Sequence, residues 1–202
     1  RILRLDCRSL VWDSVSFPQD VLIVIADTKV RRKLVTGEYN QRRQDCEEAV
    51  RIFKEKLPGI TALRDVSPAD FDKHAGLLFE RVEKRARHIV NEIARTDAAK
   101  EYLTECDIDS FGRLMNECHL SLRDLYEVSC PVLDIMVEIA RSLDGCVGAR
   151  LTGAGFGGCT VNLVEIDKAE AFQDRLAKEY LRRTQMTPEI YSTKPSAGAA
   201  VL

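Results

Sequence analysis

No stretch of this chain is apolar for long enough to cross a bilayer, which takes about 20 consecutive apolar residues. The longest such run, Val21-Leu22-Ile23-Val24-Ile25-Ala26, reads as a buried strand. Neither sign of charge is in excess: 30 Lys and Arg stand against 32 Asp and Glu, for a net charge of −2. No basic field therefore draws the chain to nucleic acid or an anionic membrane, and neither is an expected partner. Histidine is scarce, and His74, His88 and His119 have no spacing that converges on a metal. The seven cysteines include no C-x-x-C pair and are odd in number, which argues against a zinc knuckle, a redox motif or a disulfide framework. Scattered thiols of this kind suit a reducing compartment, so the expected location is cytoplasmic, with every cysteine reduced. There is no internal repeat and no low-complexity tract.

What is present is an ordinary globular composition, 45% hydrophobic and 31% charged over 202 residues. Strand-like text comes first, at 2–5, 11–17 and 21–26. From about Gly37 the period becomes helical, with Cys46, Val50, Phe53 and Leu57 on one face and Pro58-Gly59 as a stop. Ser67-Pro68-Ala69-Asp70 is a helix start, with a capping serine and proline at the first helical position. The next helix carries Phe79, Val82, Ala86, Ile89 and Ile93 on its expected inner side, and its basic stretch from Arg81 to Arg87 reads as a solvated face. A further helix carries Phe111, Leu114, Cys118, Leu122 and Leu125, and another opens at Ser129-Cys130-Pro131. The tail then reads strand (147–151), glycine loop, strand (159–166), helix (167–184) and strand (189–193). The class is α+β, and α-β-β-α-β is the later part of a split ferredoxin-like unit.

The most informative segment is Thr152-Gly153-Ala154-Gly155-Phe156-Gly157-Gly158-Cys159. Glycine costs backbone entropy in a helix or strand, but it permits unusual dihedrals and lets N–H groups approach an anion. Gly153, Gly155 and Gly158 match the spacing of a dinucleotide fingerprint. That fingerprint needs a helix immediately afterwards, whereas the β-rich Thr160-Val161-Asn162-Leu163-Val164 follows here. A Walker loop would need Gly-Lys-Ser/Thr, which is absent. A simple hairpin turn remains open, although one or two glycines suffice for that.

With its flanks, Gly148 to Cys159 resembles the third conserved motif of the GHMP small-molecule kinases, in the form found in their galactokinase branch. Other segments resemble that branch in order: Asp6-Cys7-Arg8-Ser9-Leu10, Glu38-Tyr39-Asn40-Gln41-Arg42-Arg43, Leu63-Arg64-Asp65-Val66, Arg87-His88-Ile89-Val90-Asn91-Glu92, and Ser121 to Ser129. Cys118 departs mildly, since many galactokinases have serine there. The resemblance implies ATP-dependent phosphorylation of galactose at its C1 hydroxyl, with Mg²⁺. It assigns phosphate or nucleotide binding to Gly153, Ala154, Gly155, Phe156, Gly157 and Gly158, through main-chain N–H groups. It implies that Tyr39 contacts the sugar; without the resemblance, Tyr39 reads as a helix-start tyrosine packed on the core. On this reading, substitution of Gly155 costs activity far more than folding.

The resemblance also implies machinery that this sequence does not contain: the galactose signature, the serine-rich phosphate loop, the Mg²⁺ ligands and the catalytic aspartate. The chain opens at Arg1, directly in strand-like text, so the expectation is a C-terminal half whose N-terminal half is its missing partner. No catalytic residue is then expected here, and the isolated chain is expected to be inactive. The implied division is 1–30, strands at the end of the N-terminal catalytic domain, and 31–202, the GHMP kinase C-terminal domain. Two alternatives stand beside galactose phosphorylation: a sugar- and ATP-sensing regulator without turnover, and a kinase for a related sugar such as N-acetylgalactosamine or arabinose.

Overall fold

The structure is a computed structural model that describes residues 1–31 and 36–196. A four-stranded antiparallel sheet organises it, in the order β4-β5-β3-β6, from β3 (Val21–Asp27), β4 (Cys146–Leu151), β5 (Cys159–Glu165) and β6 (Glu189–Thr193). Helix α6 (Ala169–Thr184) carries the chain from β5 over β3 to β6, a split β-α-β crossover. With β3 as its first strand, the sheet has ferredoxin-like order. β3 pairs with β5 from Val21↔Glu165 to Asp27↔Cys159 and with β6 from Ile23↔Thr193 to Asp27↔Glu189. The division expected after residue 30 would have set this strand apart from its partners.

Alternation along β3 divides the sheet between two cores. Val24 and Ala26 face Phe172, Leu176 and Tyr180 of α6 and Met136, Val137 and Ala140 of α5 (Pro131–Ser142). Val21 and Ile23 face Met115 of α4 (Ile108–Asp124), with Leu163 beside them. Helix α4 also covers the outer edge of β4. The Ala149 N–H donates to Asn116 Oδ1 at 3.0 Å and the Leu151 N–H to His119 Nδ1 at 3.4 Å. An exposed strand edge invites association with another chain, and these side chains occupy its donors. Backbones meet here: a Cβ on Gly112 would lie 2.2 Å from Val147 O, and one on Gly148 would lie 2.6 Å from Gly112 O. The buried face of α4 is therefore Ser110, Gly112, Met115, Cys118, His119 and Ser121, rotated from the expected apolar one.

A helical layer adjoins the sheet. Phe53 of α1 (Thr36–Phe53) meets Phe71 of α2 (Pro68–His74) edge to face, with ring centroids 5.6 Å apart, against Val82, Ala86 and Val90 of α3 (Glu80–Thr104). Ser67 caps α2 by accepting from the Asp70 N–H, and Pro68 follows it, as the sequence suggests. Phe79 departs from expectation. It is the N-cap of α3 and 75% exposed, because the helix begins only at Glu80. The antiparallel hairpin of β1 (Ile2–Leu5) and β2 (Trp12–Val15) is tied to this layer by two crossed ion pairs. Arg64 grips Asp6 at 2.8 and 2.9 Å, and Arg8 grips Asp65 at 2.7 and 3.2 Å. These guanidinium contacts hold both carboxyls well below the usual carboxylate range.

His88 of α3 is buried, stacks on Tyr126 at 4.5 Å and shares a hydrogen bond with Ser121 Oγ at 2.8 Å. Burial pushes its pKa down from 6.5 to about 4. The folded state therefore keeps the ring neutral while the unfolded chain protonates it below pH 6.5. Its contribution is complete above that pH and is lost as the pH falls toward 4, by up to roughly 3 kcal/mol. Thermal melts between pH 7.5 and 4.5 are expected to show a falling melting temperature that His88→Gln flattens. An equal slope in both proteins would count against His88 as the source. Asp6 and Asp65, with depressed pKa values, weaken the fold only at more acid pH.

Candidate functional site

The glycine loop joins β4 to β5, and Thr152 N–H donates to Cys159 O at 2.9 Å across its base. Gly153, Gly155, Gly157 and Gly158 all have positive φ, from +80° to +128°, and so does Phe156 at +60°. A bulky side chain in that region is strained, so neighbours must hold Phe156 in place. Its N–H donates to Val128 O at 2.7 Å, and Gly158 N–H donates to Val30 O at 3.0 Å. Two of the six expected phosphate-facing N–H groups are thus engaged by the fold. Those of Gly153, Ala154, Gly155 and Gly157 have no partner among the described residues. Gly153 and Ala154 are exposed, while Gly155 and Gly157 are buried. Successive N–H groups in turn conformation are the kind of donor set that anion-binding nests are built from.

Gly155 has a second reason to be glycine. A Cβ there would lie 2.0 Å from Val128 O, and one on Gly157 would lie 2.6 Å from Val30 O. The loop rests directly on the segment after α4, in which Glu127 also has positive φ. Four successive carbonyls of that segment have donors. Arg85 donates to Leu125 O. Arg42 donates to Tyr126 O at 3.2 Å and Glu127 O at 2.8 Å, and Phe156 N–H donates to Val128 O. Arg85 also grips the Glu127 carboxylate at 2.6 Å and is buried, so the basic stretch from Arg81 to Arg87 is not simply a solvated face. These cations lie at the carbonyl end of α4, where the helix dipole favours them.

Tyr39 stands in the first turn of α1, three residues before Arg42 and hence on a neighbouring face. It is 65% exposed, so it is not packed on the core. It borders a groove of about 620 Å³ whose lining includes Cys46, Val50, Ile89, Ile93 and Tyr126. Burial pushes the Cys46 thiol up to about 11 and the Tyr126 phenol up to about 12, so both are neutral at physiological pH. Arg42 links Tyr39's helix to the loop, with its guanidinium 5.4 Å from the Phe156 ring centre. Sequence reasoning placed Arg42 inside a motif but gave it no role. Its sequence signal is its place four residues before Cys46, in line with the apolar face that runs through Val50.

His88 and His119 hold structure. Because His119 Nδ1 accepts from Leu151, its Nε2 carries the proton and faces Asp134 at 3.4 Å. Burial pushes the Asp134 carboxyl up, but hydrogen bonds from His119 and Ser129 outweigh it and leave the carboxyl below its ordinary value. No disulfide joins any of the seven cysteines. Among the described residues no helix is long and apolar enough to cross a membrane, and no group of three or more His, Cys, Asp or Glu could hold a metal ion.

Residues 99–182 match the family model for the C terminus of GHMP kinases. The chain is 48% identical over 97% of its length to a galactokinase of Roseiflexus sp. (strain RS-1), covering 50% of that protein. It superposes on a Lactococcus lactis galactokinase crystallised with galactose at a TM-score of 0.88, with 36% identity over 94% of this chain and 49% of that one. A homoserine kinase from Cytophaga hutchinsonii shares the fold at a TM-score of 0.54 and 14% identity. The chain spans about half the length of the galactokinases it matches. The match takes in β4, the strained glycine loop, β5 and most of α6, so residues 99–182 of this chain carry a GHMP kinase C-terminal domain.

Proposed function

We propose that this chain supplies the third GHMP motif and part of the sugar site of a galactokinase, which transfers the γ-phosphoryl of ATP to the C1 hydroxyl of galactose. The observation that carries this reading is the row of N–H groups at Gly153, Ala154, Gly155 and Gly157, unpartnered among the described residues and linked through Arg42 to the helix of Tyr39. In this reading those groups donate to phosphate oxygens, while Phe156 and Gly158 fix the loop. Phosphoryl transfer depends on positioning and neutralisation of charge, and the loop contributes the first. In this reading the Mg²⁺ ligands and the catalytic aspartate lie in the other half of the protein. The absence of a disulfide among the cysteines supports a cytoplasmic location.

In this reading the partner half seats on the β1–β2 hairpin. Leu3, Leu5 and Trp12 share one face of it and are 66%, 54% and 63% exposed. Because β3 is integral to the sheet, we place the division between the halves after this hairpin, in the segment leading to β3, rather than after residue 30. The intact protein is expected to convert galactose and ATP to galactose 1-phosphate. Tyr39→Ala is expected to raise the galactose KM about tenfold, the effect of losing roughly 1–2 kcal/mol of hydrogen bond and ring contact. The ATP KM should change less. An intact protein that binds both ligands without turnover would point to a regulator, and an unchanged galactose KM in folded Tyr39→Ala would remove Tyr39 from the sugar site.

A further inference from the structure

We propose that Arg42 is a positioning residue for phosphoryl transfer, setting the glycine loop through the 126–128 segment and the Phe156 ring; this rests on the function proposed above. The guanidinium is buried, with its side chain 9% exposed, and its donors are divided between two elements. Nη1 is held on its own helix by the Glu38 carbonyl and carboxylate. Nε and Nη2 reach across to the carbonyls of Tyr126 and Glu127. The next carbonyl, Val128 O, accepts the N–H of Phe156 and touches the position that a Gly155 Cβ would fill. Phe156, in strained left-handed backbone, has its ring beneath the same guanidinium.

A planar fork anchored on α1 thus fixes two carbonyls, the third carbonyl fixes the loop amide, and the cation steadies the loop's aromatic side chain. Lysine has no planar fork and cannot reproduce this geometry. Removing the fork frees the loop to relax out of its strained dihedrals, which turns its phosphate-facing N–H groups. Tyr39 stays on α1 and does not depend on these contacts.

The test uses the intact protein with Arg42→Met, Arg42→Lys, Phe156→Leu and the Arg42→Met/Phe156→Leu double variant. Misplacing a reacting group by about 1 Å costs on the order of a hundredfold. Arg42→Met is therefore expected to lower kcat/KM for ATP at least tenfold while galactose affinity stays within about threefold of wild type. Arg42→Lys is expected to recover only part of the loss, and it serves as the primary variant if Arg42→Met does not fold. The double variant is expected to be no worse than the poorer single one, since both act through the loop. Amide exchange at Phe156, followed by NMR or mass spectrometry, is expected to rise at least tenfold in Arg42→Met. An Arg42 that merely stabilises the fold would reduce the amount of folded enzyme and leave the constants of the remainder unchanged. Additive losses, or unaltered exchange at Phe156, would overturn the proposal. If the wild-type protein phosphorylates no galactose, the functional reading fails, and the exchange measurement still decides whether Arg42 sets the loop.

Discussion

Gly155→Ala is expected to destabilise the domain by roughly 3 kcal/mol and to abolish most nucleotide-dependent turnover in the intact protein. Left-handed backbone costs about 1–2 kcal/mol for a residue with a Cβ. Overpacking a well-filled site adds about 1–3 kcal/mol, and here the methyl would lie 2.0 Å from Val128 O and 2.8 Å from Val128 Cβ. At about 2–4 °C per kcal/mol for a domain of this size, the melting temperature should fall by close to 10 °C. The contact with Val128 adds a folding cost to the loss of activity that the resemblance implies for a substitution here. The three neighbouring glycines should rank in order. Gly157 meets Val30 O at 2.6 Å, whereas a Cβ on Gly158 meets nothing within 4 Å and has only its φ of +86° to resist substitution. Melting and kinetics of the three alanine variants check this. Equal losses at all three would mean that dihedral strain alone governs the loop.

Gly112→Ala is the second large expected effect, and its sign is diagnostic. Inside a helix, alanine is about 1 kcal/mol better than glycine, so without close packing this substitution would stabilise α4. A Cβ there would lie 2.2 Å from Val147 O and 2.8 Å from Val147 Cγ1. The helix must then lift off β4, loosening the Asn116 and His119 contacts to the strand edge. The expected result is a loss of roughly 2–4 kcal/mol, within the range for severe core disruption. A drop in kcat should accompany it, because β4 leads directly into the glycine loop. Denaturant titration of wild type and variant measures the first. A more stable Gly112→Ala protein would show that helix and strand are not in backbone contact.

Where local rules dominate, the sequence was readable. Ser67-Pro68 marks its helix start, the α-β-β-α-β order after Pro131 is present, and β6 occupies the expected 189–193. The glycine loop was found because four glycines in six positions have no use in a helix or strand. The rest was hidden for identifiable reasons. The inner face of α4 is glycine, histidine, serine and methionine, because its partner is an edge strand whose N–H groups want acceptors rather than an apolar surface. Arg85 and Arg42 were legible as charges but not as buried ones, since their acceptors are main-chain carbonyls that no side-chain pattern reports. The role of β3 was missed because pairing is not local: a strand announces itself in sequence, but its neighbours do not.

That last feature has a cost in time. Thr28, at the end of β3, is hydrogen-bonded to Gly158 across 130 residues of chain, and β6 lies further on. During synthesis at about 5–20 residues per second, β3 leaves the ribosome several seconds before its first partner exists. In that interval an apolar strand with two unpaired edges waits beside helices that can already fold, which is the condition under which nascent chains aggregate. Of the helices made between β3 and β5, α4 and α5 carry the side chains that meet β3, Met115 on one face and Met136, Val137 and Ala140 on the other. They are the structure available to cover β3 until β5 arrives, and β6, the last strand made, completes a sheet that β3 began.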